Sequence, residues 1–287
     1  MAKINSFLTD QVAYTQSTQS IANIPKRLWL CGNLPPLRAP TVAIVGTRKP
    51  TPYGREVTYR LSYELAKRGI VIISGLALGV DGIAHQAALD ARGTTIAVLP
   101  TPLESIHPKT HYQLSERIVE SGGALLSEYS ADDPVFKMNF VARNRIVTAL
   151  SDVVLITEAA SRSGTLTTAN FALEQGRSVM VVPGNITSPM SAACNQLLKV
   201  GATPVTSVDD ILHELGLKDK NRQIKLPIAE TREEDALIKL LASGVREGEE
   251  LHAKSGLSAA SYSQTMSMLE IEGKIKALGS NQWTLSR

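Results

Sequence analysis

The 287-residue chain has little of several features that would assign it to a class at once. It has two cysteines, Cys31 and Cys194, which are isolated in sequence and form neither a disulfide framework nor a metal-spaced pair. Uninterrupted apolar runs stay short of the roughly 18 residues of a membrane span, and the first residues lack the hydrophobic stretch of a signal peptide. We therefore expect a cytoplasmic protein with no membrane association and no metal.

Aromatic residues make up 5% of the chain, and the net charge is only +3. So small an excess of positive charge does not by itself identify a nucleic-acid binder, and any anion site must come from local placement of charge. The 43% of hydrophobic residues and 20% of charged residues are sufficient for a full core and exclude global disorder. The length suits one medium domain and one small domain.

From residue 41 onward, short apolar runs alternate with amphipathic patterns. This alternation with short links predicts a doubly wound, mostly parallel α/β sheet. The predicted strands are Thr41–Val45, Ile70–Ile73, Thr95–Leu99, Ala124–Leu126, Asp152–Thr157, Ser178–Val182 and Thr203–Val205. The predicted helices are Tyr53–Arg68, Gly82–Ala91, Tyr112–Ser121, Phe140–Leu150, Thr165–Gln175 and Ala192–Val200.

The remaining segments predict the domain boundaries. Residues 1–40 are expected to form a loose tail or short helix followed by an extended, proline-containing lead-in to a domain at 41–217. Residues 218–230 have the composition of an exposed linker. Residues 231–287 contain three helical patterns, Glu233–Ala242, Glu249–Ser255 and Ser258–Glu272, and a terminal hairpin, which together predict a winged-helix module.

Three predicted strand-to-helix turns are rich in glycine and hydroxyl residues. In a parallel sheet they meet at the carboxyl edge, where each helix start presents free N–H groups and a partial positive charge. One such turn binds one phosphate, so three predict a ligand with several phosphates. The candidate residues are Gly46 and Arg48 in the first turn, Ser74, Gly75 and Gly79 in the second, and Ser163, Gly164 and Thr165 in the third.

These turns do not form a dinucleotide site. The Gly-x-Gly-x-x-Gly pattern is missing after the first strand, and the second strand ends in Ser74-Gly75 instead of the acidic residue that holds a ribose. We expect no cofactor. Asp81 and His85 stand at helical i, i+4 spacing, where a catalytic pair is one interpretation. A helix-capping carboxylate with a packed histidine is the favoured one, because no activated nucleophile accompanies them.

The sequence Phe140-Val-Ala-Arg143-Asn144-Arg145 begins a predicted helix. Arginine forks and asparagine amides match phosphates and base edges, and an aromatic ring there could stack on a base. Arginines two positions apart point to different faces of a helix, so the alternative is that one of them pairs with Glu128 or Glu158.

Taken in order, these elements resemble the DNA-processing protein A (DprA, or Smf) family. The resemblance covers roughly residues 24–215, with a weaker match over the last 55 residues or so. The matching elements are Val-Ala-Ile-Val-Gly46-Thr-Arg48, Ser74-Gly75-Leu-Ala-Leu-Gly79-Val-Asp81, Leu-Leu-Ser-Glu128-Tyr, Phe140-Val-Ala-Arg143-Asn144-Arg145, Ser163-Gly164-Thr-Leu-Thr-Thr and Val-Pro183-Gly184-Asn.

The resemblance implies an extended Rossmann-like domain that dimerises, binds single-stranded DNA in a basic pocket and is not an enzyme. It also implies protection of incoming strands and loading of the RecA recombinase during natural transformation or recombination. The implied DNA contacts are Gly46, Arg48, Ser74, Gly75, Gly79, Phe140, Arg143, Asn144, Arg145, Ser163, Gly164 and Thr165.

The loop after the third predicted strand departs from the family pattern. It reads Leu99-Pro-Thr-Pro-Leu and continues through His107 and Pro108, and its prolines remove N–H donors. We expect this loop to contact the ligand in its own way. Val141 also stands where the family usually has proline.

Two rival functions remain. A phosphoribohydrolase of the lysine-decarboxylase-like group uses a similar sheet, but it needs a Gly-Gly-x-Gly-Thr turn and a glutamate early on the next helix, where this chain has Thr167 and Thr168 before Glu174. A winged-helix transcription factor needs a cationic recognition helix. Here the corresponding segment, Ser258–Glu272, has no Lys or Arg, so the module is expected to serve as an interaction surface.

Overall fold

A computed structural model describes residues 3–35, 38–161, 163–217, 229–279 and 281–285. The chain forms two compact units, Met1–Lys218 and Asp219–Arg287. Most of the linker predicted at 218–230 lies outside the described residues, as does Arg162 of the third turn.

A nine-stranded sheet organises the first unit. The seven predicted strands are confirmed, each to within a residue at either end, and they pair in parallel. Two further strands extend one edge in antiparallel fashion. The strands are β1 (Ile4–Leu8), β2 (Arg27–Gly32), β3 (Thr41–Val45), β4 (Val71–Ser74), β5 (Thr95–Leu99), β6 (Ala124–Ser127), β7 (Val153–Ile156), β8 (Ser178–Val181) and β9 (Thr203–Pro204), in the order β1-β2-β6-β5-β4-β3-β7-β8-β9.

The helices of this unit are α1 (Pro52–Lys67), α2 (Val80–Asp90), α3 (Tyr112–Glu120), α4 (Asn139–Ala142), α5 (Asn144–Ala149), α6 (Gly164–Glu174), α7 (Ala192–Lys199) and α8 (Val208–Glu214). The helix predicted at Phe140–Leu150 is thus divided at Arg143. The short α8 was not predicted. A capping box between Ser207 and Asp210 begins it, but the helix has only seven residues, too few for a clear hydrophobic periodicity.

The N-terminal segment differs most from expectation. The expected extended lead-in is a strand of the sheet, because residues 4–8 pair with residues 27–31 and β2 continues the sheet against β6. A 3-10 helix, Ala13–Ser20, joins the two strands. Tyr14 and Leu28 are buried in the main core and attach this segment to the sheet. The segment is otherwise polar, so its sequence does not show the pattern of a buried strand.

The order of the strands places the candidate turns together. Strands β3 to β7 are buried along their whole length, with helices covering both faces of the sheet. From β3 the chain proceeds outward to β6, and it then returns to the other side of β3 as β7. The direction therefore reverses between β3 and β7, and a crevice at the carboxyl ends of such strands is the usual ligand site of open α/β sheets.

The second unit is a winged helix. It consists of α9 (Arg232–Ala242), α10 (Gly248–Ser255), α11 (Ala259–Ile271) and a hairpin of β10 (Ile275–Gly279) and β11 (Gln282–Leu285). Leu237, Leu251, Leu269 and Ile275 are buried in its own core. In neither unit does a described helix combine the length and the apolar run needed to cross a bilayer.

Candidate functional site

A cavity of about 330 Å³ opens at the point where the strand order reverses. The loops after β3, β4 and β7 and the junction of α4 and α5 form its walls. Eight of the residues singled out from the sequence line it: Gly46, Arg48, Phe140, Arg143, Asn144, Ser163, Gly164 and Thr165. Residues that are separated by more than 100 positions in the chain therefore share one small volume.

The three helix starts at this edge are not equally open to a ligand. A buried carboxylate, Glu158, already holds the start of α1, since its oxygens accept from the Thr51 amide at 2.8 Å and the Thr51 hydroxyl at 2.6 Å. The turn before α2 donates its amides of Gly75 and Ala77 to Asp81, at 3.1 and 3.4 Å. Two of the three anion sites expected from the sequence are thus occupied by the protein's own carboxylates.

The start of α6 is the open one of the three. Ser163 caps the helix by accepting from the Thr165 amide at 3.1 Å. Gly164, the first residue of the helix, is exposed, and a Cβ added there would meet nothing within 4 Å. A phosphate can therefore approach this helix start closely, where the N–H groups and the helix dipole favour a negative charge.

Arg143 lies beneath the cavity. Its side chain is 5% exposed, and its Nη1 donates to the Gly75 carbonyl at 2.6 Å and also to the Val98 carbonyl. Its Nε donates to Asn144 Oδ1 at 3.1 Å, and Asn144 in turn donates to Thr168 Oγ1 at 2.9 Å. These contacts tie the ends of β4 and β5 to the start of α5, so this guanidinium positions the turns.

Burial and charge set the electrostatics of this cluster. Burial lowers the pKa of Arg143 to about 10; nearby Asp81 opposes this effect, and nearby Arg48 adds to it. Burial also raises the pKa of Asp81, partly offset by Arg143. Because Arg48 and Arg143 repel one another across the cavity, an anion bound between them would remove that repulsion.

The Asp81–His85 pair does not have the geometry of a catalytic dyad. Asp81 accepts from the amides of its own turn, and His85 is fully buried with its Nδ1 2.7 Å from Thr95 Oγ1. Since Thr95 donates its hydroxyl to the Ile72 carbonyl, His85 Nδ1 is the donor in that pair. Burial lowers the pKa of His85 to about 3, which keeps the imidazole neutral.

Three glycines of the predicted site are required because the turns pack on one another. A Cβ on Gly46 would lie 2.7 Å from the Glu158 carbonyl oxygen, and one on Gly75 would lie 2.3 Å from an Arg143 nitrogen. Gly79 has φ of +79° and would place its Cβ 2.4 Å from the Thr47 carbonyl oxygen. Gly46 and Gly79 thus allow close approach of backbone to backbone, and Gly75 leaves room for the Arg143 guanidinium, reasons that are independent of any ligand.

Four of the twelve predicted contacts do not line the cavity: Ser74, Gly75, Gly79 and Arg145. Ser74 is fully buried and donates its hydroxyl to the Ile44 carbonyl at 2.6 Å, so its side chain cannot reach a ligand. Arg145 points away and forms a bidentate pair with Glu128, at 2.8 and 2.6 Å. The alternative that one arginine of Arg-Asn-Arg holds an internal carboxylate therefore applies to Arg145.

His107 and Leu78, which were not among the predicted contacts, complete the apolar side of the site beside Phe140. Phe140 packs edge to face against His107, with ring centroids 5.0 Å apart and an interplanar angle of 87°. Together with Leu78, which is 45% exposed, these rings line a small recess that adjoins the cavity and shares Arg48 and Arg143 with it. The proline-containing loop after β5 thus contributes a ring. The departure of this loop from the family's sequence pattern was the feature that indicated a different contact here.

Carboxylates contribute little to the described lining of the cavity. Among the residues lining it, the carboxylate is that of Asp81, which is buried and engaged, and Glu174 lies at the far end of α6. In the described part of the chain, no group of three or more His, Cys, Asp and Glu side chains is placed to hold a metal ion. The arrangement is suited to binding an anion.

Fold and site together define a Rossmann-like α/β protein with an anion-accepting crevice at the sheet's switch point, followed by a winged helix. The family model for DNA recombination-mediator protein A matches residues 5–216, and the model for the DprA winged helix domain matches residues 225–281. The chain belongs to the DprA/Smf family.

Relatives and solved structures agree with this assignment. Protein Smf of Escherichia coli is 44% identical over 72% of this chain, a match that covers 55% of the E. coli protein. The crystal structure of DNA processing protein A from Streptococcus pneumoniae is similar with a TM-score of 0.69 at 39% identity, covering 74% of each chain. The Helicobacter pylori protein, solved to explain its single-stranded DNA binding mode, is similar with a TM-score of 0.65 at 34% identity, covering 75% of this chain and 96% of that one.

Proposed function

We propose that this protein binds single-stranded DNA in the cavity at the switch point and acts as a mediator of DNA recombination without catalysing a reaction. The observation that carries the proposal is the convergence of Arg48, the open start of α6 and the Phe140 ring around one volume. A cation, a free helix start and an aromatic face are the groups by which proteins bind single strands without strong sequence preference. The single-stranded DNA binding of the H. pylori relative supports the same conclusion.

In this proposal, different residues contact the phosphates and the bases of the bound strand. One phosphate lies between Arg48 and the start of α6, where Gly164 leaves room for it. A base adjoining that phosphate stacks in the recess beside Phe140 and His107. Arg143, at the base of the cavity, holds the turns in place and adds positive potential.

The winged helix is proposed as an interaction module that does not read duplex DNA. Readers of duplex DNA need cations near phosphates and donors near base edges. Helix α11 carries neither Lys nor Arg, and Met268 and Ile271 on it are 45% and 79% exposed. Exposed apolar side chains on a helix without cations favour contact with protein.

Family membership supports the finer parts of the proposal. We infer that the protein acts as a homodimer in the cytoplasm, protects incoming strands and loads the RecA recombinase onto them during recombination or natural transformation. Sedimentation of the pure protein tests the dimer, with a single monomeric species as the contradicting result. Assembly of RecA on oligomers precoated with single-strand binding protein, with and without this protein, tests the loading step.

Fluorescence anisotropy with dT oligomers and with a duplex of the same length tests the central proposal. We expect tight binding of the single strand, weak binding of the duplex and no change in the oligomer after prolonged incubation. Equal affinity for both, or release of free base from adenosine monophosphate, would contradict it and favour the duplex-binding or phosphoribohydrolase alternative respectively.

A further inference from the structure

A second and larger cavity lies on the opposite side of the Arg-Asn-Arg segment. It has a volume of about 680 Å³, within the range of roughly 300–1,000 Å³ that is usual for ligand sites. The lead-in before β2, the segment between β6 and α4, and the end of α6 form its walls. We call it the acidic cavity, because Glu128, Asp133 and Glu174 line it.

The charge of the acidic cavity is opposite to that of the proposed DNA site. Arg145 is the one cation among its lining residues, and it is fully engaged. Its Nη1 and Nη2 pair with Glu128, and its Nε donates to the Asn23 carbonyl at 3.0 Å. Glu174 is exposed at the last residue of α6, where the negative end of the helix dipole adds to its charge. The cavity therefore repels phosphates and attracts cations.

Aromatic and apolar surface accompanies this negative potential. Tyr129, Phe136 and Phe171 line the cavity, and Phe136 is 55% exposed. The same segment carries Val135 and Met138, which are 50% and 72% exposed. Aromatic rings beside carboxylates favour a cationic group, since the ring faces attract it as well.

Two amide side chains on the cavity wall have hydrogen-bonding atoms without partners. Asn139 is 5% exposed and its Nδ2 is buried with no acceptor; Gln175 likewise has a buried Oε1 with no donor. Buried polar atoms are almost always paired, and each unmade bond costs about 1–3 kcal/mol. Asn139 Nδ2 therefore needs an acceptor, and Gln175 Oε1 needs a donor. A peptide group offers both, whereas an alkyl amine offers donors alone.

We propose that the acidic cavity binds a short segment of a protein partner in which a Lys or Arg side chain stands beside an apolar side chain. The basic group lies against Glu174 and the aromatic rings, and the apolar group contacts Phe136. The main chain pairs with Asn139 and Gln175 after both side chains rotate, since their unpaired atoms are buried in the unbound protein. This site is separate from the DNA cavity, so a partner and a single strand can be bound together.

A peptide library displayed on phage, selected against the full-length protein, tests the proposal. The expected consensus has Lys or Arg next to an aliphatic or aromatic residue. The synthetic consensus peptide should bind with an affinity that excess dT oligomer leaves unchanged. Failure to enrich any sequence, an acidic consensus, or displacement by the oligomer would overturn the proposal.

Matched variants separate the cavity from general surface charge. Glu174→Lys should lower the affinity for the peptide at least about tenfold, because the lysine repels the basic group of the peptide. Glu120→Lys is the control, because Glu120 is also the exposed last residue of a helix but is not among the residues lining the cavity. A lysine is favourable at the C-terminal end of a helix, so neither substitution should impair folding of α3 or α6.

Phe136→Ala should also lower the affinity for the peptide, while dT binding stays unchanged. Equal effects of the two lysine variants, or peptide binding that Phe136→Ala leaves unchanged, would overturn the proposal. So would displacement of the peptide by spermidine at matched concentration, which would assign the cavity to free amines. Loss of dT binding with intact peptide binding would count against the proposed function alone.

Discussion

The floor and the rim of the proposed DNA cavity differ in what their residues do, although the sequence motifs combine both. The floor comprises Asp81 and Arg143 together with Ser74 and Gly75, which lie behind the lining, and the rim comprises Arg48, Phe140, Ser163 and Gly164. The four floor residues are buried and bonded to one another or to strand ends, whereas the rim residues are exposed or half-buried. A motif residue at a binding site can therefore serve by holding the backbone that the ligand touches.

Removal of the floor arginine should have the largest effect. Arg143→Ala leaves the Gly75 and Val98 carbonyls without their donor and Asp81 without its nearby positive charge. We expect the free energy of unfolding to fall by about 3–5 kcal/mol, the usual cost of leaving such a buried group unpaired. Urea denaturation of the two proteins measures it.

Arg48→Ala is the rim control for that experiment. Its side chain is exposed, and the expected change in the free energy of unfolding is within about 0.5 kcal/mol. Equal stability losses in the two variants would remove the distinction between floor and rim.

The buried His85 beneath the second turn should make stability depend on pH. Its folded pKa of about 3 lies below the unfolded value of about 6.5, so below pH 6.5 the unfolded chain takes up a proton that the folded chain does not. Stability due to this group is therefore present at pH 7 and is lost as the pH falls toward 3. The expected loss between pH 7 and pH 5 is about 2 kcal/mol.

His85→Gln isolates this contribution, because glutamine keeps hydrogen-bonding capacity for Thr95 but does not titrate. The difference in the free energy of unfolding between pH 7 and pH 5 should shrink by that amount in the variant. An identical pH dependence in both proteins would show that His85 is protonated at no cost in the folded state.

The sequence predicts the fold here better than it predicts the roles of the site residues. Strands β3 to β7 follow from short buried apolar runs, because burial on both faces leaves a continuous pattern. The pairing of residues 4–8 with β2 could not be predicted, since it depends on anchors such as Tyr14 that contact distant parts of the core.

For the site, the order of the strands is sufficient to bring Gly46, Arg143 and Ser163 together. Which arginine faces the ligand depends on partners remote in sequence. Glu128 binds Arg145, and the carbonyls of Gly75 and Val98 bind Arg143. Likewise, Glu158 occupies the start of α1, which a glycine-containing turn alone cannot reveal.

At the rim, Arg48→Ala should weaken dT binding by about tenfold while the protein remains folded. If Arg48 neutralises one phosphate, the slope of log affinity against log salt should also fall by about 0.7. Anisotropy titrations from 50 to 300 mM salt, roughly the range over which such slopes are measured, give both quantities. Arg48→Lys should restore most of the slope, and a slope that is the same in all three proteins would place Arg48 away from the backbone.

The smallest effect is expected from removing the winged helix. Deletion of residues 219–287 leaves the core of the first unit intact, because the two units have separate hydrophobic clusters. The deletion removes ten of the 30 Lys and Arg residues, but none of these ten lies on α11 or is among the described residues that line the cavity, so dT affinity should change by less than about twofold. Circular dichroism confirms folding of the shortened chain before titration. A loss of affinity larger than that of Arg48→Ala would instead show that the winged helix contributes to the strand-binding surface, and the rim would then extend beyond the first unit.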